Sequence, residues 1–210
     1  MTLDFETLPP RDAYAWMISA ITPRPIAWVS TISADGRVNL APFSFFQGVC
    51  SNPPTLLFVP TNNRDGGKKD TLRNIEAVPE FVVNLVPHAL GDAMNATAAP
   101  LPYGESEAEH SGIATAPSAK VRPPRVAATP VAFECRLDRI VRVGEGAGAG
   151  NIVIGRIVSA HLSDDALGAD GRLDPAKLDL IARMGGDLYA RTRELFTLNR
   201  PASGSALRST

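Results

Sequence analysis

Seventeen glycines and eighteen prolines punctuate this 210-residue chain, and breaks at that density favour many short elements joined by turns over long helices. Between the breaks the apolar residues fall in short β-branched and aromatic runs. Ile26-Ala-Trp-Val-Ser-Thr-Ile-Ser33 reads as a strand that stops at Ala34-Asp35-Gly36 and resumes over Val38 to Leu40, the pattern of a hairpin. Further strands are expected over 43–49, 55–59, 80–86, 131–141 and 151–162, the last two flanking the loop Gly144-Glu-Gly-Ala-Gly-Ala-Gly150. Seven runs of this kind point to a barrel.

Helical periodicity is rarer. Residues 11–21 place Ala13, Trp16, Met17 and Ala20 on one face, residues 69–78 place Leu72 and Ile75 likewise before Pro79, and a third helix is expected over 88–98. Trp16 and Trp28 are expected in the core. Residues 100–129 lack periodicity and read as a long arm with one short helix, a length usually reserved for function or for crossing a partner subunit. A single domain is expected over 1–201, with a mobile tail over 202–210 that has nothing to bury.

Lys and Arg number 21 against 22 Asp and Glu, a net charge of -1, so no global field draws in nucleic acid or an anionic membrane. No apolar run approaches the ~20 residues of a membrane span, and acids stand near the N-terminus where a signal peptide carries Lys or Arg. A cytoplasmic protein is expected. Cys50 and Cys135 lack metal-site or disulfide spacing and are expected as buried thiols. His88, His110 and His161 form no metal-ligand pattern, so no metal is expected, and no GxSxG elbow supplies a nucleophile. The loop 144–149 matches G-x-G-x-x-A but runs into a strand, and Gly66-Gly67-Lys68-Lys69 lacks the hydroxyl residue of a phosphate-binding P-loop. A chain without its own reactive groups performs chemistry by borrowing a cofactor.

Two clusters suit that task. In Asn39-Leu-Ala-Pro-Phe-Ser-Phe-Phe46, Pro42 donates nothing to a ladder and belongs at an edge, where backbone groups stay free for a ligand; an ordinary bent strand is the alternative. Arg64-Asp-Gly-Gly-Lys-Lys-Asp-Thr71 joins cations, a Gly pair and a helix start, the parts of a phosphate cradle; a capped surface helix is the alternative.

Taken in order, Pro23-Arg-Pro-Ile-Ala-Trp-Val-Ser-Thr31, Asp35-Gly36, Asn39 to Phe46, Pro53-Pro54, Lys69-Asp-Thr71, Asn74-Ile75 and Glu80-Phe-Val-Val-Asn84 resemble the flavin reductase-like, FMN-binding split-barrel family near its flavoredoxin-type members. The likeness continues through Met94-Asn95, Pro123-Pro124, Glu134-Cys135, Gly155, Arg183-Met-Gly-Gly186, Tyr189 and Arg200-Pro201. The resemblance implies a mainly β, antiparallel Greek-key split barrel with flanking helices, a homodimer, and FMN bound near the subunit interface. It implies that Ser30 and Thr31 help hold the phosphate or ribityl chain, and that Asn39, Leu40, Ala41 and Pro42 line the isoalloxazine edge, largely through backbone groups. Ser44 and Phe45 would flank ribityl and phosphate, and Lys69, Asp70 and Thr71, with Arg64, would complete the phosphate end. The flavin carries the chemistry, so no catalytic side chain is required; His161 is a candidate to face the flavin or nicotinamide, a core or surface histidine being the other reading. The implied activity is NAD(P)H-dependent flavin oxidoreduction, with NADH or NADPH as co-substrate and free flavin or a partner oxygenase as acceptor. A flavoredoxin-like electron carrier without strong NAD(P)H activity is the alternative. Glu105, Glu107 and Glu109 lie near the expected substrate entrance.

Overall fold

The structure, a computed structural model, describes residues 1–199; the expected tail over 202–210 lies outside them. Helix α1 (Pro10–Ala20) leads through β1 (Arg24–Pro25) into β2 (Ala27–Ile32), β3 (Val38–Phe43), β4 (Phe46–Ser51) and β5 (Pro54–Phe58). After α2 (Asp70–Ala77) and β6 (Glu80–Asn84), a 3-10 turn at His88–Leu90 runs into α3 (Gly91–Ala96). The arm carries α4 (Glu107–His110), β7 (Thr115–Ala116) and β8 (Arg125–Val126), and leads to the long hairpin of β9 (Val131–Val143) and β10 (Gly150–Leu162). The chain continues through α5 (Pro175–Leu178), β11 (Ile181–Arg183) and β12 (Tyr189–Arg191). Among the described residues no helix is long and apolar enough to cross a membrane.

Seven strands form one antiparallel sheet in the order β3-β2-β6-β9-β10-β5-β4. Its two edges, β3 and β4, follow each other in the chain and are separated only by Ser44 and Phe45. A sheet whose edges meet at a two-residue corner must curl, and the result is the antiparallel split barrel that the sequence leads one to expect. Alternation along the strands fills its interior with Val29, Phe43, Phe58, Phe81, Val83 and Val153, to which α2 adds Leu72 and Ile75. The Phe58 ring lies 5.2 Å from Phe43 and 5.3 Å from Phe81. Trp28, Leu40, Met94, Ala108 and Val126 form a second cluster between the other face of β2 and β3 and the helices α3 and α4. Trp28 is fully buried, and its indole N–H donates to Thr97 Oγ1 at 2.9 Å.

Three expectations need correction. The run 43–49 is two strands, because the chain turns at Ser44–Phe45. That corner is braced by Arg24, 4% exposed, which donates to the carbonyls of Ile21 (2.6 Å) and Met184 (2.9 Å) and weakly to Ser44 Oγ (3.4 Å). Trp16 is not in the core: α1 buries no residue, and the indole is 46% exposed. Cys50 is exposed on β4, whereas Cys135 is buried in the barrel, where desolvation pushes its thiol pKa far up.

Gly155 sits where the β9–β10 register shifts, and a Cβ there would collide with the buried Phe81 ring. Gly155→Ala is expected to destabilise the fold by about 1–3 kcal/mol, since the core has no room to repack. Urea unfolding checks this as a lower midpoint at unchanged slope.

Candidate functional site

On its side away from β2, strand β3 is a free edge. The neighbouring residues turn it into one wall of a cleft of about 330 Å³, within the range of small-molecule sites. Asn39, Ala41, Pro42 and Phe43 supply this wall, and Lys69, Asp70, Thr71 and Arg73 at the start of α2 supply the second. Residues 97–101, Tyr103 and Glu107 of the α3–α4 region close the third side. Helix α2 is held against the sheet by side-chain amides. Asn39 Nδ2 donates to Thr71 Oγ1 at 2.9 Å, and Asn74 Nδ2 donates to Thr31 Oγ1 at 3.1 Å.

The cleft carries both signs of charge. Lys69 donates to Asn63 Oδ1 at 3.3 Å, and the Arg73 guanidinium lies 5.1 Å from the centre of the Tyr103 ring and 3.9 Å from Asp70. The first turn of α2 also leaves backbone amides without intrahelical partners, and these carry partial positive charge. Against them stand two acids whose pKa values rise through burial: Asp70, despite the nearby Arg73 and Lys69, and Glu107, on which Asp70 acts further in the same direction. Glu107 Oε2 accepts the Leu40 N–H at 2.9 Å, capping an edge amide of β3. The turn after Tyr103 requires Gly104, whose φ of +92° suits glycine and whose Cβ position would lie 2.6 Å from the Arg37 guanidinium.

The structure therefore brings Asn39, Ala41, Pro42, Lys69, Asp70 and Thr71 together, and it places the other expected site residues elsewhere. Ser30 turns to the opposite face of β2 and donates to the Pro124 carbonyl. Thr31 lies beneath α2. Leu40 sends its side chain into the outer cluster. Ser44 and Phe45 occupy the barrel corner beside Arg24, and Arg64 is exposed outside the cleft lining. His161 is likewise outside: its Nε2 is 2.5 Å from Oε1 of the fully buried Glu134. Sequence reasoning passed over Asn63, Arg73 and Tyr103. Arg73 was within reach, because a residue four positions after Lys69 lies on the same helix face. Among the described residues no group of three or more His, Cys, Asp or Glu is placed to hold a metal.

A curled antiparallel sheet with a cleft of mixed charge along its free edge defines a split-barrel protein. The family model described as flavin reductase like domain matches residues 19–180, and the chain belongs to that family. Protein YwrF of Bacillus subtilis is 37% identical over 200 residues, covering 94% of this chain and 97% of that one. Among solved structures, nitrilotriacetate monooxygenase component B from Bacillus cereus superposes with a TM-score of 0.89 at 32% identity, covering 94% of this chain and 98% of its own. The Pseudomonas fluorescens 2-nitrobenzoate 2-nitroreductase NbaA gives 0.84 at 28% identity, over 100% and 99% of the two chains.

Glu134 ties the arm to the barrel. Burial pushes its carboxyl pKa up, but the N–H groups of Ala119 (2.7 Å) and Lys120 (2.6 Å), with His161, outweigh burial and hold it below the ordinary value. A carboxylate with a lowered folded-state pKa contributes stability above its unfolded value, about 4.3, and loses that contribution as pH falls through the folded value. Glu134→Gln, which offers one oxygen to two donors, is therefore expected to be less stable at neutral pH. The gap to the parent chain should narrow on acidification in pH-dependent urea unfolding.

Proposed function

We propose that this protein binds FMN in the cleft and passes hydride from NADH or NADPH to it, acting as a flavin oxidoreductase. The observation that carries the reading is one cleft in which the cations of α2 face the proline-interrupted free edge of β3. Lys69, Arg73 and the first amides of α2 suit a phosphate. Asn39, Ala41 and Pro42 suit a flat heteroaromatic ring, since Pro42 lacks an N–H and the rest of that edge offers backbone groups. The donor set fits FMN. When bound, the flavin supplies the hydride-accepting and hydride-donating chemistry.

The chain's own residues bind, orient and exclude water. Thr31 and Ser30 work from behind: one holds α2 through Asn74, the other holds the arm through Pro124. Ser44 and Phe45 keep the barrel corner in place. Electrons leave to free flavin or to a partner oxygenase, a reading supported by likeness to a monooxygenase component B. The cytoplasm, where nicotinamide reductant is abundant, suits this role.

The reading includes a second copy of the chain. Helix α1 buries none of its own residues, and Tyr14, Trp16, Ile21, Val49, Leu188 and Phe196 are exposed. A second copy of the chain would cover such side chains. Sedimentation velocity is expected to give a dimer, and Trp16→Glu to shift it toward monomer.

The purified protein is expected to show flavin absorption or to acquire it from added FMN, and to bleach under anaerobic NADH or NADPH. Bleaching with a protein donor only would make the chain an electron carrier. Lys69→Ala is expected to weaken FMN binding by about 1.5–3 kcal/mol, roughly 10- to 150-fold in Kd by fluorescence titration. Unchanged affinity would remove Lys69 from the phosphate end.

A further inference from the structure

The glycine-rich turn 144–149 between β9 and β10 lies against the loop that leads from β5 to α2, and two adjacent asparagines of that loop face opposite ways. All four polar groups of Asn62 bond to the hairpin. Its N–H donates to the Ala149 carbonyl at 2.9 Å, and its carbonyl accepts the Gly148 N–H at 3.3 Å. In the side chain, Nδ2 donates to the Gly146 carbonyl at 3.0 Å, and Oδ1 accepts from Nδ2 of the buried Asn151 at 2.9 Å. All four polar groups of Asn63 bond instead to residues 66–69. Its N–H donates to the Gly67 carbonyl (2.8 Å) and its carbonyl accepts the Gly66 N–H (2.9 Å). Its Nδ2 donates to the Lys68 carbonyl (3.4 Å), and its Oδ1 accepts from Lys69 Nζ (3.3 Å). A Cβ on Gly66 would lie 3.6 Å from Gly146 Cα, so main chain faces main chain where the loops meet.

An ammonium on a flexible four-carbon stem stands in one place only if something holds it. Lys68 is held away from the cleft: it pairs at 2.7 Å with Glu76, a carboxylate shared with Arg142 of β9, and only Lys69 of the two lines the cleft. We propose that the hairpin tip is a positioning element for the anionic end of the cleft's ligand, acting through Asn62 and Asn63 to set where the Lys69 ammonium stands. The inference rests on the reading of Lys69 as a phosphate contact. A fixed cation favours a flavin that carries a phosphate and does nothing for the same flavin without one, so the tip governs the preference for FMN over riboflavin. A two-residue turn would close the hairpin, but it would lack the Gly146 and Gly148 groups that meet Asn62.

The test compares FMN with riboflavin by fluorescence titration in the parent chain, Asn62→Ala, Lys69→Ala and the double variant, each checked by circular dichroism. Asn62→Ala is expected to weaken FMN binding about 3- to 10-fold, to leave riboflavin binding unchanged, and to weaken FMN binding no further once Lys69 is removed. Equal weakening of FMN and riboflavin, or the same loss of FMN affinity without Lys69, overturns the proposal, because a general loosening of the cleft gives either result. Failure of the parent chain to take up FMN overturns the flavin reading instead. Hydrogen exchange of the ligand-free protein then still decides the coupling: the amides of Asn63 and Gly66 are expected to exchange faster in Asn62→Ala, and unchanged exchange removes the link that the inference requires.

Discussion

A sheet with two open edges must satisfy or hide the backbone groups along them, and the rest of this structure follows from how the chain handles its two. Both edges belong to consecutive strands, so the turn at Ser44–Phe45 fixes how far apart they stand. Arg24 sits behind that turn and joins it to the end of α1 and to the segment around Met184. A guanidinium has the donors to gather several carbonyls at one point, which an ammonium or an apolar side chain does not. Burial lowers its pKa, but far too little to discharge an arginine. The edges are then used differently. β4 stays exposed, and β3 is covered at Leu40 and open beside Pro42.

The covered and open parts of β3 explain why the cleft mixes charges. Cations gather where α2 begins, the end of a helix that attracts anions. Acids gather where α4 crosses the strand, because a free edge amide wants an acceptor and Glu107 provides one. Burial raises the pKa of both Asp70 and Glu107, and Asp70 adds to the rise at Glu107. The cationic groups therefore stand at the α2 end of the cleft and the Glu107 carboxyl at the α4 end.

Much of the architecture was legible in the sequence. Strand runs bounded by turn residues located β2, β5, β6, β9 and β10 within a few residues, since local pattern and burial agree there. The edges were harder to read. β3 and β4 looked partly continuous because Phe43, Phe45, Phe46 and Val49 crowd into seven residues, whereas the chain turns at Ser44–Phe45, where Arg24 meets Ser44. Trp16 misled because an amphipathic helix announces a face to be covered without saying whether the same chain covers it. In the site, Lys69, Asp70 and Thr71 were readable as a helix start. The inward turn of Glu107 was not, since it depends on an edge amide of a strand distant in sequence. Ser30 and Thr31 are adjacent in β2 and so face opposite ways, one toward Pro124 and the other toward α2.

The arm is tied down at its far end by Glu134, which holds the backbone amides of Ala119 and Lys120, and by Ser30, which holds Pro124. Its cleft-facing portion, 97–107, lies a dozen residues upstream of those ties. The two functions of one segment are thus physically partitioned. Changes of length or composition over 98–105 would reshape the cleft wall while leaving the ties at Ala119, Lys120 and Pro124 in place, so this architecture can vary its cleft without renegotiating its fold.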